Sequence, residues 1–368
     1  GIMFLIHYVR NCSNVYYFHK NLNFSSNEYE LFDYSTNIFI AVVAIIGFVT
    51  NTLTVFTLSQ PRFKGRSHNM RYTSFYHAII ELVLDLWIFT DKISMFAHLP
   101  DDKYVSAMIF STLTFWSINA LLCSRNWMVM LVALARLEAI FRPLKIRSYS
   151  IFSSCKSRLY TIIVLLLSFS LSVIRVFYKK AIVCENENKI IFDSHWKNSS
   201  LYQCFEIGYF IYQSVFPVVI VTISTLTMIY FLFKQTFKST HLLKQYFREN
   251  ETQCMTSQQK ATLTITVLAG VFTVTEIPIF IITLLKFTYP NGLSNLMVLY
   301  QITRALVVVD SCCNFLIYVS TSEHYRRDLW YLFQRIFRWH KMFVNEQEES
   351  FGMSRIVSYI PNSRRHKV

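Results

Sequence analysis

Glycine and proline are scarce in this chain, which has only 7 of each among 368 residues. Collagen-like and low-complexity disordered proteins are rich in these residues, so the scarcity excludes both classes. Charged residues are also few, at 16%, whereas 53% of the residues are hydrophobic. The 8 cysteines are too sparse over this length for a disulfide-stabilised scaffold. The composition is instead typical of long apolar helices.

Short motifs of catalysis are absent as well. The sequence contains no His-Glu-x-x-His zinc motif, no Gly-x-Ser-x-Gly nucleophile motif and no glycine-rich phosphate-binding loop. None of the cysteine spacings is typical of a zinc site. We therefore expect no enzyme activity, no bound metal and no cofactor.

The hydrophobic residues occur in blocks of about 20 residues, the length that a helix needs to cross a hydrocarbon layer of about 30 Å. Unpaired backbone amides cannot be left in lipid, and no alternating pattern indicates a β-barrel, so each block predicts a helix. The predicted fold class is therefore an all-α membrane protein with a seven-transmembrane helix bundle. The blocks are Ile38–Leu58, Thr73–Phe96, Val105–Leu134, Leu159–Phe177, Phe205–Phe233, Ala261–Leu285 and Leu296–Tyr318.

Basic residues are concentrated in alternate loops between these blocks. Because such residues are enriched in cytoplasmic loops, the first, third and fifth loops are predicted to be cytoplasmic and the N-terminus extracellular. Three glycosylation sequons, at Asn11, Asn23 and Asn198, then lie outside, and only Asn250 lies inside. The bases that set this orientation are Arg62, Lys64, Arg66, Arg71, Arg142, Lys145, Arg147, Lys156, Arg158, Lys234, Lys238, Lys244, Arg248 and Lys260.

The net charge of +14 raises the alternative of nucleic-acid binding. The bases lie at helix ends on one predicted side of the membrane, where topology and anionic lipid account for them. We therefore expect contact with membrane lipid and none with nucleic acid.

A set of motifs occurs along the blocks in a fixed order: Asn51 in "GFVTN", Asp85 in "LVLDLW", Arg136 and Pro143 in "LARLEAIFRPL", Pro217, Phe272 and Pro278 in "FTVTEIP", and Asn314 and Tyr318 in "DSCCNFLIY". Together they resemble the rhodopsin-like G-protein-coupled receptors, with Phe315 in place of the usual proline of the last motif. The stretch from Arg125 to Arg136, Glu276 before the Ile-Pro pair and the segment after Tyr318 narrow the resemblance to nematode serpentine chemoreceptors of class W, relatives of FMRFamide-type neuropeptide receptors.

The resemblance implies a receptor that passes the signal of an extracellular ligand to a heterotrimeric G protein from the plasma membrane. It implies a multi-pass chain with an extracellular segment at 1–37, a seven-transmembrane receptor domain at 38–321, an amphipathic membrane-surface helix at 322–340 and a cytoplasmic tail at 341–368. It assigns coupling and activation to Arg136, Asn314, Tyr318, Phe272 and Pro278.

Departures from the family pattern leave an alternative open. Ala135 replaces the acid before the family's arginine, Thr225 replaces a tyrosine of the fifth helix, and Glu276 replaces a tryptophan. The alternative is a receptor-like protein that does not couple to a G protein.

The usual disulfide is also altered, because Ser111 stands where the relatives have a cysteine. Cys12, Cys184 and Cys204 are predicted to be extracellular, and we expect Cys184 to pair with Cys204 and leave an odd thiol.

Charged residues inside the predicted helices are costly in lipid and therefore mark candidate sites. Asn51, Glu81, Asp85, Arg125 and Asp310 form a predicted intramembrane polar network. Arg125 lies eleven residues before Arg136, about 16 Å along the helix, at a level where the relatives hold a hydrated sodium ion. We predict that Arg125 is a built-in cation that bridges Asp85 and Asp310; the alternative is a packing ion pair without a switching role.

Ligand-binding candidates lie in the outer half of the predicted bundle. Ile118 occupies the place of the aspartate that binds amines in aminergic receptors, which argues against a biogenic amine. Mixed charges favour a peptide with polar ends as the ligand, and a small-molecule odorant is the alternative ligand. The alternative function is that of an ion-conducting or transport membrane protein. The candidates are Asp91, Lys92, Asn119, Thr283 and Arg304, with Glu276 as a possible floor.

Overall fold

The predicted blocks form seven apolar helical spans. A computed structural model of the chain describes residues 6–9, 26–60, 68–96, 104–141, 151–152, 154–177, 180–184, 189–193, 200–242, 249–288 and 293–335. The first four spans are α1 (Ser26–Ser59), α2 (His68–Phe96), α3 (Tyr104–Phe141) and α4 (Ser154–Phe177). The fifth combines α5 (Ser200–Phe210), a π turn (Ile211–Val215) and α6 (Phe216–Leu242); the sixth is α7 (Glu249–Thr288) and the seventh is α8 (Leu293–Thr321).

All seven spans are long and apolar enough to cross a membrane, which confirms the predicted bundle. Most helices extend beyond the hydrophobic blocks; α1 begins at Ser26 instead of Ile38, and α3 ends at Phe141 instead of Leu134. Hydrophobicity marks only the part of a helix that suits lipid, whereas backbone hydrogen bonds continue through polar residues such as Asp33. We call the end of the bundle where the first span begins the N-terminal end, and the opposite end the Arg136 end.

A small sheet accompanies the helices. Strand β1 (Ile6–Val9) pairs in parallel with β2 (Lys180–Cys184), and β2 pairs antiparallel with β3 (Lys189–Asp193). The sheet joins the N-terminal segment to the connection between the fourth and fifth spans. The sequence predicts no strand here, because runs of five residues between long helices are too short to show a clear alternation.

The distribution of side chains is that of a membrane bundle. A core of Ile40, Ala44, Leu84, Met128 and Val308 packs the first, second, third and seventh spans together. Large apolar side chains face outward over the bundle surface, as lipid allows. The exposed ones include Ile46, Phe56, Leu166, Leu226, Val274 and Leu316.

A second compact unit begins at Glu323. Its described part is a helix over residues 323–335, inside the range predicted for the amphipathic helix. Arg326, Arg327, Trp330 and Tyr331 are exposed on it. Contact of this helix with the membrane surface stays a prediction, and residues 341–368 lie outside the described part of the chain.

Candidate functional site

Arg125 lies at the centre of the bundle with 0% of its side chain exposed. It belongs to α3, between the buried Ser124 and Asn126 and one turn from the core residue Met128. A guanidinium so far from water is very unfavourable unless acceptors surround it. Its partners therefore decide how the neighbouring helices pack.

Three carboxylates on three different spans accept hydrogen bonds from this one side chain. Arg125 Nε donates to Glu81 Oε1 of the second span at 2.9 Å, and Nη1 donates to Glu276 Oε1 of the sixth span at 2.7 Å. Arg125 Nη2 donates to Asp310 Oδ2 of the seventh span. The planar fork of guanidinium donors suits several acceptors at once. We call Glu81, Arg125, Glu276 and Asp310 the ionic cluster.

Two of the predicted activation residues contact the ionic cluster. The Phe272 ring centre lies 5.5 Å from Cζ of Arg125, within the range of a cation–π contact. Phe272 precedes Glu276 by four residues, so both lie on the same face of the sixth span. Asn314 Nδ2 donates to Glu81 Oε1 at 3.3 Å.

The predicted bridge from Arg125 to Asp85 needs a correction. Arg125 does reach Asp310, but Glu81 takes the place that the sequence analysis assigned to Asp85. Asp85 Oδ2 instead accepts from Asn51 Nδ2 at 2.9 Å and from Ser311 Oγ at 2.8 Å. The two acids of the second span lie one helical turn apart, so they meet different partners although they share a face.

Gly47 allows the first span to lie against Asp85. A Cβ atom added at Gly47 would lie 2.6 Å from Asp85 Oδ2 and 2.8 Å from Asp85 Cγ. These separations are far shorter than van der Waals contact. The glycine of the "GFVTN" motif therefore permits the close approach that brings Asn51 to Asp85.

The π turn of the fifth span contacts the third span beside the ionic cluster. Asn126 Nδ2 donates to the carbonyl of Gln213 and Trp127 Nε1 to the carbonyl of Tyr212, each at 3.1 Å. Pro217 has no N–H, so it can donate to neither Gln213 four residues earlier nor Tyr212 five residues earlier. The two side chains of the third span supply donors to these carbonyls.

A separate charged group lies at the N-terminal end of the bundle. Arg175 of the fourth span binds Glu206 of the fifth with Nε–Oε1 and Nη2–Oε2 distances of 3.1 and 3.2 Å. Its Nη1 also donates to Asn119 Oδ1 of the third span at 2.8 Å. Cζ of Arg175 lies 5.1 Å from the ring centre of Tyr209, whose hydroxyl is 3.0 Å from Ser172 Oγ.

The predicted ligand-binding residues are divided among several places. Asn119 belongs to the Arg175 group. Lys92 is buried and pairs with Asp91 at 3.3 Å, while Arg304 lies over the ring of Tyr300. Thr283 is half-buried in the sixth span.

Glu276 is predicted as a possible floor of the ligand site, and that role stays a prediction. Its side chain is buried, and one of its carboxylate oxygens already accepts a hydrogen bond from Arg125. Glu276 therefore belongs to the ionic cluster.

The Arg136 end of the bundle brings the third, fifth and sixth spans together. Val132 and Ala133 of the third span pack with Met228 and Ile265. Arg136, one turn further along α3, is buried, with 5% of the residue exposed. Tyr318 of the seventh span and Thr225 of the fifth are also buried. The carboxylate of Glu138 accepts a hydrogen bond from Ile151 N at 2.8 Å. Pro278 lies inside α7, two residues after Glu276.

Several polar residues of these groups were missed by the sequence analysis. Arg175 and Glu206 stand alone in apolar stretches of consecutive spans, and their opposite charges could have suggested the pair. Ser311 carries no such signal, because its role depends on the packing of the first and seventh spans against the second. Asn126 and Trp127 lie inside the stretch from Arg125 to Arg136, and nothing in that stretch indicates their contact with the fifth span.

Other predicted residues lie where the structure gives no side chains. Asn11, Asn23 and Asn198 lie outside the described residues, so their glycosylation stays a prediction. Cys204 is exposed, and the side chain of Cys184 lies outside the description, so their predicted pairing stays a prediction. Among the residues that the structure describes, no group of three or more His, Cys, Asp and Glu side chains could hold a metal ion.

Comparison with known proteins agrees with this architecture. Residues 28–335 match the family model described as "Serpentine type 7TM GPCR chemoreceptor Srw". None of the curated proteins compared with the chain matches it. The matched residues include all seven spans, the ionic cluster and the helix over residues 323–335. The chain therefore belongs to the Srw family of serpentine seven-transmembrane G-protein-coupled chemoreceptors, which is not a class of enzymes.

Proposed function

We propose that this chemoreceptor lies in the plasma membrane with its N-terminus outside and passes ligand binding to a heterotrimeric G protein at the Arg136 end. The orientation is supported by the basic residues of alternate loops and by the sequons on the opposite side. The N-terminal end of the bundle then faces the ligand, and the Arg136 end faces the cytoplasm.

The observation that carries this proposal is the burial of Arg136 at the junction of the third, fifth and sixth spans. Its neighbour Ala135 replaces the acid of the family pattern, so the residue directly before Arg136 does not restrain the guanidinium. An outward movement of the sixth span would expose the guanidinium to a G-protein α-subunit. Pro278 interrupts the hydrogen-bond ladder of α7 and provides a place where the span can bend.

The ligand we propose is a peptide with polar ends. Charges of both signs lie at the N-terminal end, in the Arg175–Glu206 pair and the Asp91–Lys92 pair, with Arg304 on the seventh span. A peptide offers a carboxylate or amide and an amine that can replace such partners, whereas an apolar odorant would leave them unsatisfied. A small water-soluble molecule remains the alternative ligand class.

A signalling assay tests the proposal. Cells that express the chain with a promiscuous G-protein α-subunit are challenged with an amidated-peptide library and, separately, with volatile and water-soluble odorants, while calcium or cyclic AMP is measured. We expect a peptide response that Arg136→Ala abolishes at an unchanged surface level. A response only to small molecules would overturn the ligand class. Ligand-dependent current in cells that lack the G protein would favour the ion-conducting function, and silence at confirmed surface expression would contradict coupling.

A further inference from the structure

The three carboxylates around Arg125 are not equivalent, because their spans differ in their other polar contacts. The second and seventh spans are linked without Arg125, since Asn314 donates to Glu81 and Ser311 donates to Asp85. Asn51 adds the first span, with Nδ2 at 2.9 Å from both Asp85 Oδ2 and Ser311 Oγ. These three spans therefore form a hydrogen-bonded unit even when Arg125 is left out.

The sixth span makes different use of its polar side chains. The hydroxyls of four threonines donate to carbonyls of their own helix within one turn, and so do not hold it to a neighbour through these bonds. Glu276, in contrast, reaches across to the third span with an Oε1–Nη1 distance of 2.7 Å. The threonines are Thr264, Thr266, Thr273 and Thr275.

Glu276 also lies on the movable side of the bend. The sixth span runs from the Arg136 end toward the N-terminal end, so residues before Pro278 belong to its Arg136-end segment. Pro278 cannot donate to the carbonyl of Val274, which weakens the helix just where Glu276 is attached. An outward swing of this segment therefore pulls on the Arg125–Glu276 pair, whereas Glu81 and Asp310 stay with their linked spans.

We propose that Glu276 is the positioning residue that holds the sixth span in the inactive arrangement, through its ion pair with Arg125. Ligand binding at the N-terminal end activates the receptor by weakening this pair. This inference rests on the proposed function and names the regulation of the same site. It assigns Arg125 a switching role through Glu276, and a packing role through Glu81 and Asp310.

Two variants that remove the same charge from the same cluster separate these roles. Glu276→Gln and Asp310→Asn each replace a carboxylate by an amide of nearly the same size. In both, one guanidinium still faces two carboxylates, so neither leaves a buried cation without a counter-charge. Any difference between the variants therefore reports the span on which the carboxylate lies.

The first measurement is ligand-independent signalling at matched surface level. We expect Glu276→Gln to raise it by about fivefold or more, the lower end of typical coupling between sites. Asp310→Asn should raise it clearly less, and Thr273→Val, which removes a hydroxyl bonded within α7, should leave it unchanged. A merely structural role of Glu276 would lower the surface level without raising signalling. An equal or larger increase in Asp310→Asn would overturn the proposal, as would no increase in Glu276→Gln.

A second measurement does not depend on a G protein. Thr262, buried near the Arg136 end of α7, is changed to cysteine in a chain whose exposed Cys155 and Cys204, together with Cys254 of the same helix, are replaced by serine. We expect a thiol reagent to label Thr262→Cys severalfold faster when Glu276→Gln is added than when Asp310→Asn is added. Equal labelling rates in the two backgrounds would contradict the proposal.

The two measurements keep the two proposals apart. If the wild-type receptor responds to ligand through a G protein but Glu276→Gln changes neither signalling nor labelling, the inference fails and the proposed function stands. If labelling rises while no G protein responds to any ligand, Glu276 does hold the span and the proposed function fails.

Discussion

Arg125 and Gly47 show how much of the bundle depends on single residues. Arg125 satisfies acceptors on three spans because its donors point in different directions within one plane. Lysine carries the same charge as a compact ammonium and could not match this geometry. Gly47 acts by having no side chain, since any Cβ would occupy the space of the Asp85 carboxylate.

Gly47→Ala should therefore destabilise the receptor. The methyl group would push Asp85 away from Asn51 and Ser311, and overpacking of this kind typically costs about 1–3 kcal/mol. We expect a lower midpoint of thermal unfolding in detergent and a lower surface level. Gly270→Ala is the matched control, because nothing lies within 4 Å of its added Cβ. That substitution should be neutral or stabilising by up to about 1 kcal/mol, as helix propensity favours alanine. Equal effects of the two changes would contradict the steric argument.

At the scale of one element, the fifth span shows how a proline inside a helix changes its contact with a neighbouring span. Pro217 removes a donor from the backbone, the π turn carries the extra residue, and the third span completes the hydrogen bonding. The rings reinforce this contact, with centres of Trp127 and Tyr212 4.8 Å apart and those of Trp127 and Phe216 5.4 Å apart.

Trp127→Phe tests this account of the π turn. Phenylalanine keeps an aromatic ring against Tyr212 and Phe216 but has no N–H for the Tyr212 carbonyl. We expect the free energy of unfolding to fall by about 1 kcal/mol, since a half-buried acceptor is left unsatisfied, and the midpoint of thermal unfolding to fall with it.

Trp116→Phe provides the comparison, because Trp116 Nε1 also donates to a carbonyl, that of Phe169, at 3.1 Å. Phe169 lies inside α4, where the N–H of Val173 serves the same carbonyl as its helical partner. This variant should lose clearly less stability than Trp127→Phe. If Trp116→Phe proved as harmful, the shortage of donors at the π turn would not explain the role of Trp127.

The elements were predictable from the sequence to different degrees. The seven spans follow from hydrophobic blocks, because lipid imposes their length and composition. Helix ends were not predictable, since hydrophobicity does not limit backbone hydrogen bonding; neither was the π turn, because Pro217 alone is equally compatible with an ordinary kink.

For the whole molecule, the sequence identified the buried charges but only one of the three carboxylates that bind Arg125, that of Asp310. Charged side chains are unfavourable in lipid, and this cost identifies candidate site residues from the sequence. They are Glu81, Asp85, Arg125, Glu276 and Asp310. Which carboxylate binds the Arg125 guanidinium depends on how four helices are rotated and shifted along their axes. Glu81 and Asp85 differ by only one turn of the second span, so a small shift decides between them. The pairing of Arg175 with Glu206 likewise depends on how the fourth and fifth spans lie side by side.

Orientation is the property of the whole molecule on which the assignment of ligand and G-protein ends depends. The positive-inside rule and the sequons predict it independently, one through the energetics of insertion and the other through access to the glycosylation machinery. We expect a glycosidase to lower the apparent mass of the wild-type chain, and the triple change of Asn11, Asn23 and Asn198 to Gln to abolish that shift.

Asn250→Gln is the matched control for orientation, because Asn250 belongs to a fourth sequon at the start of α7, on the predicted cytoplasmic side. It should leave the glycosidase shift unchanged. An antibody against a tag placed before Gly1 should also stain intact cells, whereas one against a tag after Val368 should stain only permeabilised cells. A shift that survives the triple change and is lost with Asn250→Gln would mean a reversed bundle. Arg175 and Glu206 would then face the cytoplasm and Arg136 the outside, and neither the proposed ligand site nor the proposed G-protein contact could stand.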